Sequence, residues 1–372
     1  MKRKLAYNLI WVLCLAVWLP AAANPKDDTK LTKTITRDYK IPRDGHVTIV
    51  NKYGPIIINT WEKDSVHVNI EVTAFGKNDK SVDKIMDRVD FDFSQNNQYL
   101  TMATVLDRSS GFFTELWNNI GDYSKTLLSQ NQLKIVYTVF LPSTNDLDLT
   151  NKFGDIYLED YSGNIEILLS HGNFRGGTLA GRLDLDLSFG NADVKAIDDA
   201  DLRLKATESE FKQIGDASIH SSSSEIIIDN IENLRIDSRS DRRFLVKNAH
   251  SIRGSSSFSK IQVDSFEKDL KLEMNYGSFY LNKLAPGFSR LDLQGKTTEI
   301  TLDFTQGNYL DFEYIGKENK FFVTKGEDNL NTEYVDKNEK TVRINGFLGP
   351  KNQTPSRVTV TTESGEVNVK ID

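Results

Sequence analysis

The sequence predicts an all-β fold, a parallel β-solenoid of about eleven short coils, and two observations lead to it. The first is a spacing that recurs about every 18 residues: two apolar residues, a corner, and two more apolar residues. Two short strands of period two cannot bury their inner face alone, so each repeat needs a neighbour stacked on it. Counted from the corner, positions −7, −5, +2 and +4 hold Leu147, Leu149, Ile156 and Leu158 around Gly154, Leu183, Leu185, Ala192 and Val194 around Gly190, and Leu270, Leu272, Phe279 and Leu281 around Gly277.

The second observation is that position +2 is apolar in each of nine consecutive coils. Stacked coils would place these side chains one above another, at the inter-strand spacing of about 4.8 Å, as an internal ladder. The ladder is predicted to run through Ile156, Phe174, Ala192, Phe211, Ile226, Phe244, Ile261, Phe279 and Ile300, with corners at Gly154, Gly172, Gly190, Ser209, Ser224, Arg242, Ser259, Gly277 and Thr298.

Residues 1–23 are predicted to be a secretory signal peptide. They have three cations at 2–4, an apolar run at 9–19 and three alanines at 21–23 that suit a cleavage site. The apolar run is short for a stable membrane span. The sequence therefore predicts export to the periplasm, the outer-membrane surface or the surrounding medium, and no stable membrane insertion of the mature chain.

Residues 24–145 are predicted to form an N-terminal capping region that contains the first coil. That coil has its corner at Gly54, and the segment Asn51–Gly54 nearly repeats Asn151–Gly154. The near repeat indicates that the early coil belongs to the same stack as the later ones.

The rest of the capping region is predicted to be a β-rich insertion with one or two short helices. Asn78 is the expected N-cap of the first helix. Residues 107–131 carry apolar side chains at helical spacing, Trp117 among them, and are expected to form the second.

Residues 146–305 are predicted to be the central solenoid, and residues 306–372 to be C-terminal hairpins with a closing coil around Gly365. Gly and Ser suit the corners because they tolerate positive φ or bond to their own backbone. Bare solenoid ends would expose edge strands, so atypical elements near both termini are expected as caps.

Composition excludes several kinds of partner and site. The net charge of −7 becomes −10 when the three cations of the signal peptide are removed, and this balance disfavours nucleic acid, which needs a basic face. The one cysteine, Cys14, lies in the signal peptide, so the mature chain is expected to lack disulfides and thiolate sites. The five histidines do not have the helical spacing of a metal site, and no metal or cofactor is predicted.

Three corner motifs carry a resemblance to a known family. They are Asn51–Gly54 followed by Ile56–Trp61, then Asn151–Ile156, and finally Thr362–Val367. With the signal peptide and the polar insertion, they resemble the bacterial putative-adhesin family of exported, uncharacterised β-solenoid proteins over most of residues 33–372. The resemblance implies a right-handed solenoid, a location at the cell envelope or cell surface, and no catalytic residues.

Position −1, directly before the corner, is aromatic in several coils and is the candidate binding column. Two interpretations stay open: the rings are a platform for sugars, or they pack on the coil above. Trp117 of the predicted second helix is a further candidate. The column contains the candidates Tyr53, Phe153 and Tyr276 together with Phe189 and Phe258, and His171 is expected to interrupt it.

Position −6 suggests an enzymatic alternative. Asp148, Glu166 and Asp184 would stack about 5 Å apart on the outer face, and the run would end at Arg203. Stacked carboxylates can share a proton or bind a cation, and glycosidases use such pairs. A solvated face that keeps the protein soluble explains the same residues.

The sequence thus predicts a non-enzymatic, exported, adhesin-like binding or scaffold protein of the bacterial cell envelope. Its expected partner is a carbohydrate or an envelope protein. The alternative is a polysaccharide lyase or hydrolase with an acidic site on the outer solenoid face. An enzyme requires the three acids at the base of a cleft, whereas an adhesin requires an open face.

Overall fold

The computed structural model of the chain describes residues 29–106, 131–351 and 354–371. These residues are mostly β-structure, and their strands join into one large, largely parallel sheet. The predicted signal peptide and Trp117, with nearly all of the predicted second helix, lie outside the described residues.

The elements follow one another with short connections. The described residues contain one α-helix, α1 (Asp79–Met86), which begins at the predicted cap: the Asn78 side chain accepts from the Ser81 N–H at 2.9 Å. Short 3-10 turns occur at Glu318–Lys320 and Glu327–Asn329. The strands are β1 (Thr29–Tyr39), β2 (His46–Lys52), β3 (Ile56–Thr60), β4 (Val66–Gly76), β5 (Val89–Gln95), β6 (Tyr99–Leu106), β7 (Leu133–Leu141), β8 (Asp146–Lys152), β9 (Ile156–Leu158), β10 (Ile165–Ser170), β11 (Phe174–Ser188), β12 (Asn191–Lys205), β13 (Glu208–Ser222), β14 (Glu225–Arg239), β15 (Arg243–Leu284), β16 (Arg290–Thr297), β17 (Glu299–Phe304), β18 (Leu310–Lys317), β19 (Phe321–Val323), β20 (Leu330–Asp336), β21 (Thr341–Leu348), β22 (Ser356–Ser364) and β23 (Val367–Ile371).

The parallel register stacks the repeats as the spacing predicts over most of the chain. Phe174 pairs with Ile156 on one side and with Ala192 on the other, and Phe279 pairs with Ile300. These five side chains are at most 2% exposed and belong to one continuous core. Full burial of a large apolar side chain contributes about 1.5–3 kcal/mol, so the ladder is a main source of stability.

One repeat departs from the predicted register. The spacing places Phe211 over Ala192 with the corner at Ser209, and this is wrong: Ser209 pairs with Ala192, and Phe211 pairs with Val194. The corner is Thr207, which follows the left-handed Ala206, and the repeats from Gly190 to Thr207 and from Thr207 to Ser224 are each 17 residues long.

The corners share one backbone geometry. The residue before nine of the corners has a left-handed conformation, with φ between 52° and 67°. At the corner itself a Cβ often has no room: one built at Gly190 would collide with the carbonyl of Gly172 in the preceding repeat. The left-handed residues are Tyr53, Phe153, His171, Phe189, Ala206, Ser223, Ser240, Phe258 and Tyr276.

Where the corner residue is polar, it bonds to the repeats beside it. The spacing predicts a corner at Arg242, but the buried corner residue is Asp241, which is 2% exposed. Its Oδ2 accepts from the hydroxyls of Ser221 and Ser238, both at 2.5 Å, and its Oδ1 accepts from the Ser224 N–H at 2.7 Å. These bonds satisfy a carboxylate that would otherwise be costly to bury.

The insertion extends the stack at its N-terminal end. Strand β6 pairs in parallel with β2, and β7 pairs in parallel with β3, so the two strands form a further layer on the first repeat. Antiparallel strands continue each side: β5 beside β6, and β4 then β1 beside β7.

Chain order and spatial order differ at the C-terminal end. Strand β22 lies between β16 and β18, and β23 lies between β17 and β19, all in parallel. The closing repeat therefore joins the central stack directly, and the antiparallel strands β21 and β20 lie outside it. The number of coils, about eleven, and the right-handed sense stay predictions.

Candidate functional site

The three acids of the enzymatic alternative lie side by side. Glu166 pairs in register with Asp148 on one side and with Asp184 on the other. The expected end of the run at Arg203 is wrong, because Asp201 follows Asp184. The same shortened repeat that moves the core ladder by two residues brings this fourth acid into the row.

Three of these four acids have a basic side chain as a partner. The Nε2 of His46 lies 2.7 Å from Asp148 Oδ2, and the guanidinium of Arg203 lies 2.7 Å from Asp184 Oδ1 and 3.3 Å from Asp201 Oδ1. The Asp148 and Asp184 side chains are 38% and 39% exposed, and this arrangement suits a solvated face with compensated charge.

Asp186 lies one inward-facing residue further along the strand. Burial raises the pKa of its carboxyl above the ordinary range, while the nearby Arg203 guanidinium and Lys205 ammonium oppose that rise. A half-buried acid of this kind weakens the fold slightly when it is ionised.

The aromatic column forms a continuous stack at its N-terminal end. The ring centroids of Tyr53 and Phe153 are 5.7 Å apart, those of Phe153 and His171 are 5.1 Å apart, and those of His171 and Phe189 are 4.9 Å apart, with planes within 17° of parallel. His171 was expected to interrupt the column, and this is wrong: its flat ring lies between two phenylalanines and joins them. Such offset pairs contribute about 0.5–1.5 kcal/mol each beyond their burial.

A second stack follows in the same column. The rings of Phe258 and Tyr276 are 4.8 Å apart and 7° from parallel. Between the two stacks the left-handed position is occupied by the small residues Ala206, Ser223 and Ser240. Tyr276, a predicted binding residue, therefore belongs to a different stack from Tyr53 and Phe153.

The stability of the fold does not account for the aromatic side chains that are exposed at the corner. Phe189 is 51% exposed and Phe258 is 62% exposed, and both hold a left-handed backbone. That conformation costs about 1–3 kcal/mol for a residue other than glycine. Stacking returns about 0.5–1.5 kcal/mol, so a glycine or asparagine would serve the fold as well. Exposed aromatic side chains kept in strained backbone point to a role at the surface.

A cavity of about 470 Å³ opens beside the first stack, within the size range of small-molecule sites. Lys134 brings a cation to a lining that is otherwise largely apolar. Phe75, Leu133 and Lys134 were not predicted as neighbours of the stack, because only the pairing of β7 with β3, and of β4 with β7, brings them there. The lining residues are Tyr53, Gly54, Phe75, Asn131, Leu133, Lys134 and Phe153.

In the described part of the chain, no three His, Cys, Asp or Glu side chains come together in a way that could hold a metal ion. Nor does the part of the chain with described coordinates include a helix that is long and apolar enough to cross a membrane. Two further histidines face carboxylates, with His67 at 2.8 Å from Asp38 and His250 at 3.1 Å from Glu267.

No protein-family model matches the sequence, and no curated protein matches it. Among solved structures, a putative cell adhesion protein from Clostridium sporogenes aligns with 93% of this chain and 100% of its own, at 8% identity and a TM-score of 0.21. A putative adhesin from Bacteroides fragilis aligns with 91% of this chain and 97% of its own, at 11% identity and a TM-score of 0.24. Both structures are described as putative bacterial adhesion proteins and align with more than nine-tenths of this chain, and TM-scores this low carry no argument about its family or about what it binds.

Proposed function

We propose that the chain is an exported, non-enzymatic β-solenoid of the bacterial cell envelope that binds carbohydrate through its aromatic corner. One observation carries the proposal: exposed aromatic rings, held in strained backbone, repeat at one corner of a continuous parallel stack. Rigid strands keep the rings at the strand spacing, so a ligand meets a surface that is already ordered before binding.

The exposed rings of Phe189, Phe258 and Tyr276 supply apolar contact, whereas the predicted binding residue Tyr53 is only 4% exposed and supports the stack from the core. Polar groups flank the column. Lys52 Nζ lies 5.0 Å from the ring centroid of Tyr53, and Lys152 Nζ lies 5.4 Å from that of Phe153. Aromatic surface beside hydrogen-bond donors is what a sugar needs, because a pyranose ring has apolar C–H faces and a rim of hydroxyls.

The basic partners of the acidic row support the non-enzymatic form of the proposal. Glycoside hydrolysis needs one protonated acid and one free carboxylate on either side of the scissile bond. Asp148 Oδ2 lies 2.7 Å from His46 Nε2, and Asp184 Oδ1 lies 2.7 Å from the Arg203 guanidinium, so both carboxylates are engaged with side chains of the protein itself.

A glycan array probed with residues 24–372, the predicted mature chain, tests the proposal. We expect retention of a subset of glycans and its loss in Phe153→Ala and in Tyr276→Ala. The control is Tyr334→Ala, which removes an aromatic side chain of similar exposure, 47%, from β20. Retention unchanged in all three variants would contradict the proposal. Turnover of an acidic polysaccharide that Asp148→Asn abolishes would show the enzymatic alternative instead.

A further inference from the structure

The two aromatic stacks leave a gap between them that is floored by small residues. Ala206, Ser223 and Ser240 occupy the column position that Phe189 holds before them and Phe258 holds after them. The repeats stay hydrogen-bonded across the gap, so the column is unbroken. Each of four backbone N–H groups donates to a carbonyl of the next repeat, those of Phe189, Ala206, Ser223 and Ser240. The gap therefore spans four strand spacings, about 19 Å at about 4.8 Å each.

At each end of the gap, one face of an aromatic ring is directed towards the gap. Phe189 lies 6° from parallel to His171 at 4.9 Å, and Phe258 lies 7° from parallel to Tyr276 at 4.8 Å. Parallel rings at this separation overlap in the offset-stacked arrangement. One face of each terminal ring is thus covered by its neighbour, and the opposite face is turned along the column towards the gap.

The dimensions of the gap limit its occupant. Contact with a ring face requires ligand atoms about 3.5–4 Å from it. Two such contacts leave about 12 Å of a 19 Å gap, the length of roughly two to three linked pyranose rings. The floor adds the hydroxyls of Ser223 and Ser240, both exposed, as hydrogen-bond donors.

Two cations lie beside the gap. Lys205 and Arg239 are exposed on one flank, and neither makes an ion pair within 4.0 Å in the part of the chain that the structure describes, although Lys205 is near enough to Asp186 to oppose the rise of that carboxyl's pKa. On the other flank, Arg242 Nη2 lies 2.9 Å from Glu208 Oε1 and 3.9 Å from Glu225 Oε2, so those acids are compensated. A protein of net charge −7 thus presents two cations without a salt bridge of their own beside this gap, counted over the described residues.

We propose that the gap is a subsite for an anionic oligosaccharide of two to three sugars, of the uronic acid class. Its end rings pack on the faces of Phe189 and Phe258, and its carboxylates lie beside Lys205 and Arg239. The proposal rests on the proposed function and deepens it, because it names the part of the corner that binds and the class of glycan.

Calorimetry with oligogalacturonates of one to five sugars tests the subsite on the predicted mature chain. We expect affinity to rise with length up to three sugars and then level off, and neutral galactotriose to bind at least tenfold more weakly than trigalacturonate. Phe189→Ala and Phe258→Ala are each expected to weaken trigalacturonate binding at least tenfold, with less than a twofold change in Tyr334→Ala. Phe258→Leu keeps the apolar bulk without the ring face and should behave like Phe258→Ala.

The charge is tested separately. Arg239→Gln is expected to weaken trigalacturonate binding several-fold and to reduce its salt dependence, whereas Arg253→Gln, an exposed cation of another column, should do neither. Equal affinity for galactotriose and trigalacturonate would overturn the anionic assignment.

The outcomes distinguish failure of this subsite from failure of the proposed function. If Phe153→Ala abolishes glycan retention while Phe189→Ala and Phe258→Ala retain it fully, the subsite is wrong and carbohydrate binding at the corner stands. If the wild-type chain retains no glycan of any kind, both are wrong. Self-association that Phe258→Ala disrupts would assign the gap to a second copy of the chain and overturn the subsite.

Discussion

Replacement of Asp241 by alanine tests how the stack holds a buried charge. The substitution removes the acceptor of the Ser221 and Ser238 hydroxyls and of the Ser224 N–H. Ser238 also lies 2.9 Å from Ser259 Oγ and keeps that partner, so two buried donors are left unsatisfied. At about 1–3 kcal/mol for each, less the relief of removing a buried charge, we expect the free energy of unfolding to fall by about 2–4 kcal/mol.

Urea unfolding measures the loss, and amide hydrogen exchange at Ser224 locates it, since a stack of repeats can open locally. Asp241→Asn keeps an acceptor for the Ser224 N–H and should lose less. Asp237→Ala is the surface control, because Asp237 is exposed and pairs with His220 only at 3.6 Å, a contact that contributes about 0–1 kcal/mol. The reasoning fails if Asp241→Ala unfolds at the same urea concentration as Asp237→Ala, or if exchange at Ser224 is unchanged.

Three further substitutions test the ladder, the corners and the acidic face. Phe279→Ala, at a site with 0% exposure, should lower the free energy of unfolding in urea by about 3–5 kcal/mol. If the loss is no larger than the loss in Tyr276→Ala, at an exposed site, the core ladder is contradicted. Gly277→Ala places a Cβ against the carbonyl of the preceding repeat at φ 95°, whereas Gly287→Ala meets open space at φ 120°. Thermal denaturation should therefore show a larger loss of stability for Gly277→Ala. Equal losses of stability in the two variants would contradict the steric argument. Burial raises the pKa of Asp186 in the folded state, so its ionised form is destabilising above that pKa. Asp186→Asn should therefore raise the free energy of unfolding at neutral pH. The gain should shrink as the pH falls through the pKa of the folded state and vanish below the pKa of the unfolded state. A gain that does not depend on pH in urea titrations would refute this.

Some of the candidate columns could be predicted because they depend only on local periodicity. Side chains alternate along a strand, so residues two apart share a face, and equal repeats bring equal positions together. Glu166 lies between Asp148 and Asp184 as predicted because the repeats that carry them are each 18 residues long. The stacking of Tyr53 on Phe153 follows in the same way from their identical place in two corner motifs.

The errors have one physical cause. A slip of one residue would turn every inner side chain outward, but a slip of two residues keeps each on its face. Alternation therefore cannot distinguish Ser209 from Phe211 above Ala192, or Asp201 from Arg203 beside Asp184. One repeat of 17 residues, one fewer than in the repeats before it, decides both pairings, and it is visible only when hydrogen bonds between repeats set the register.

The sequence by itself determined which residues face inward, where most corners fall and which side chains share a column, because the pleat of a strand imposes these locally. Only the tertiary structure decided that His171 completes an aromatic stack, that a gap separates Phe189 from Phe258, and that β22 lies between β16 and β18. These features depend on contacts between residues far apart along the chain, and such contacts are chosen by packing and hydrogen bonding in the whole stack rather than by any short segment of it.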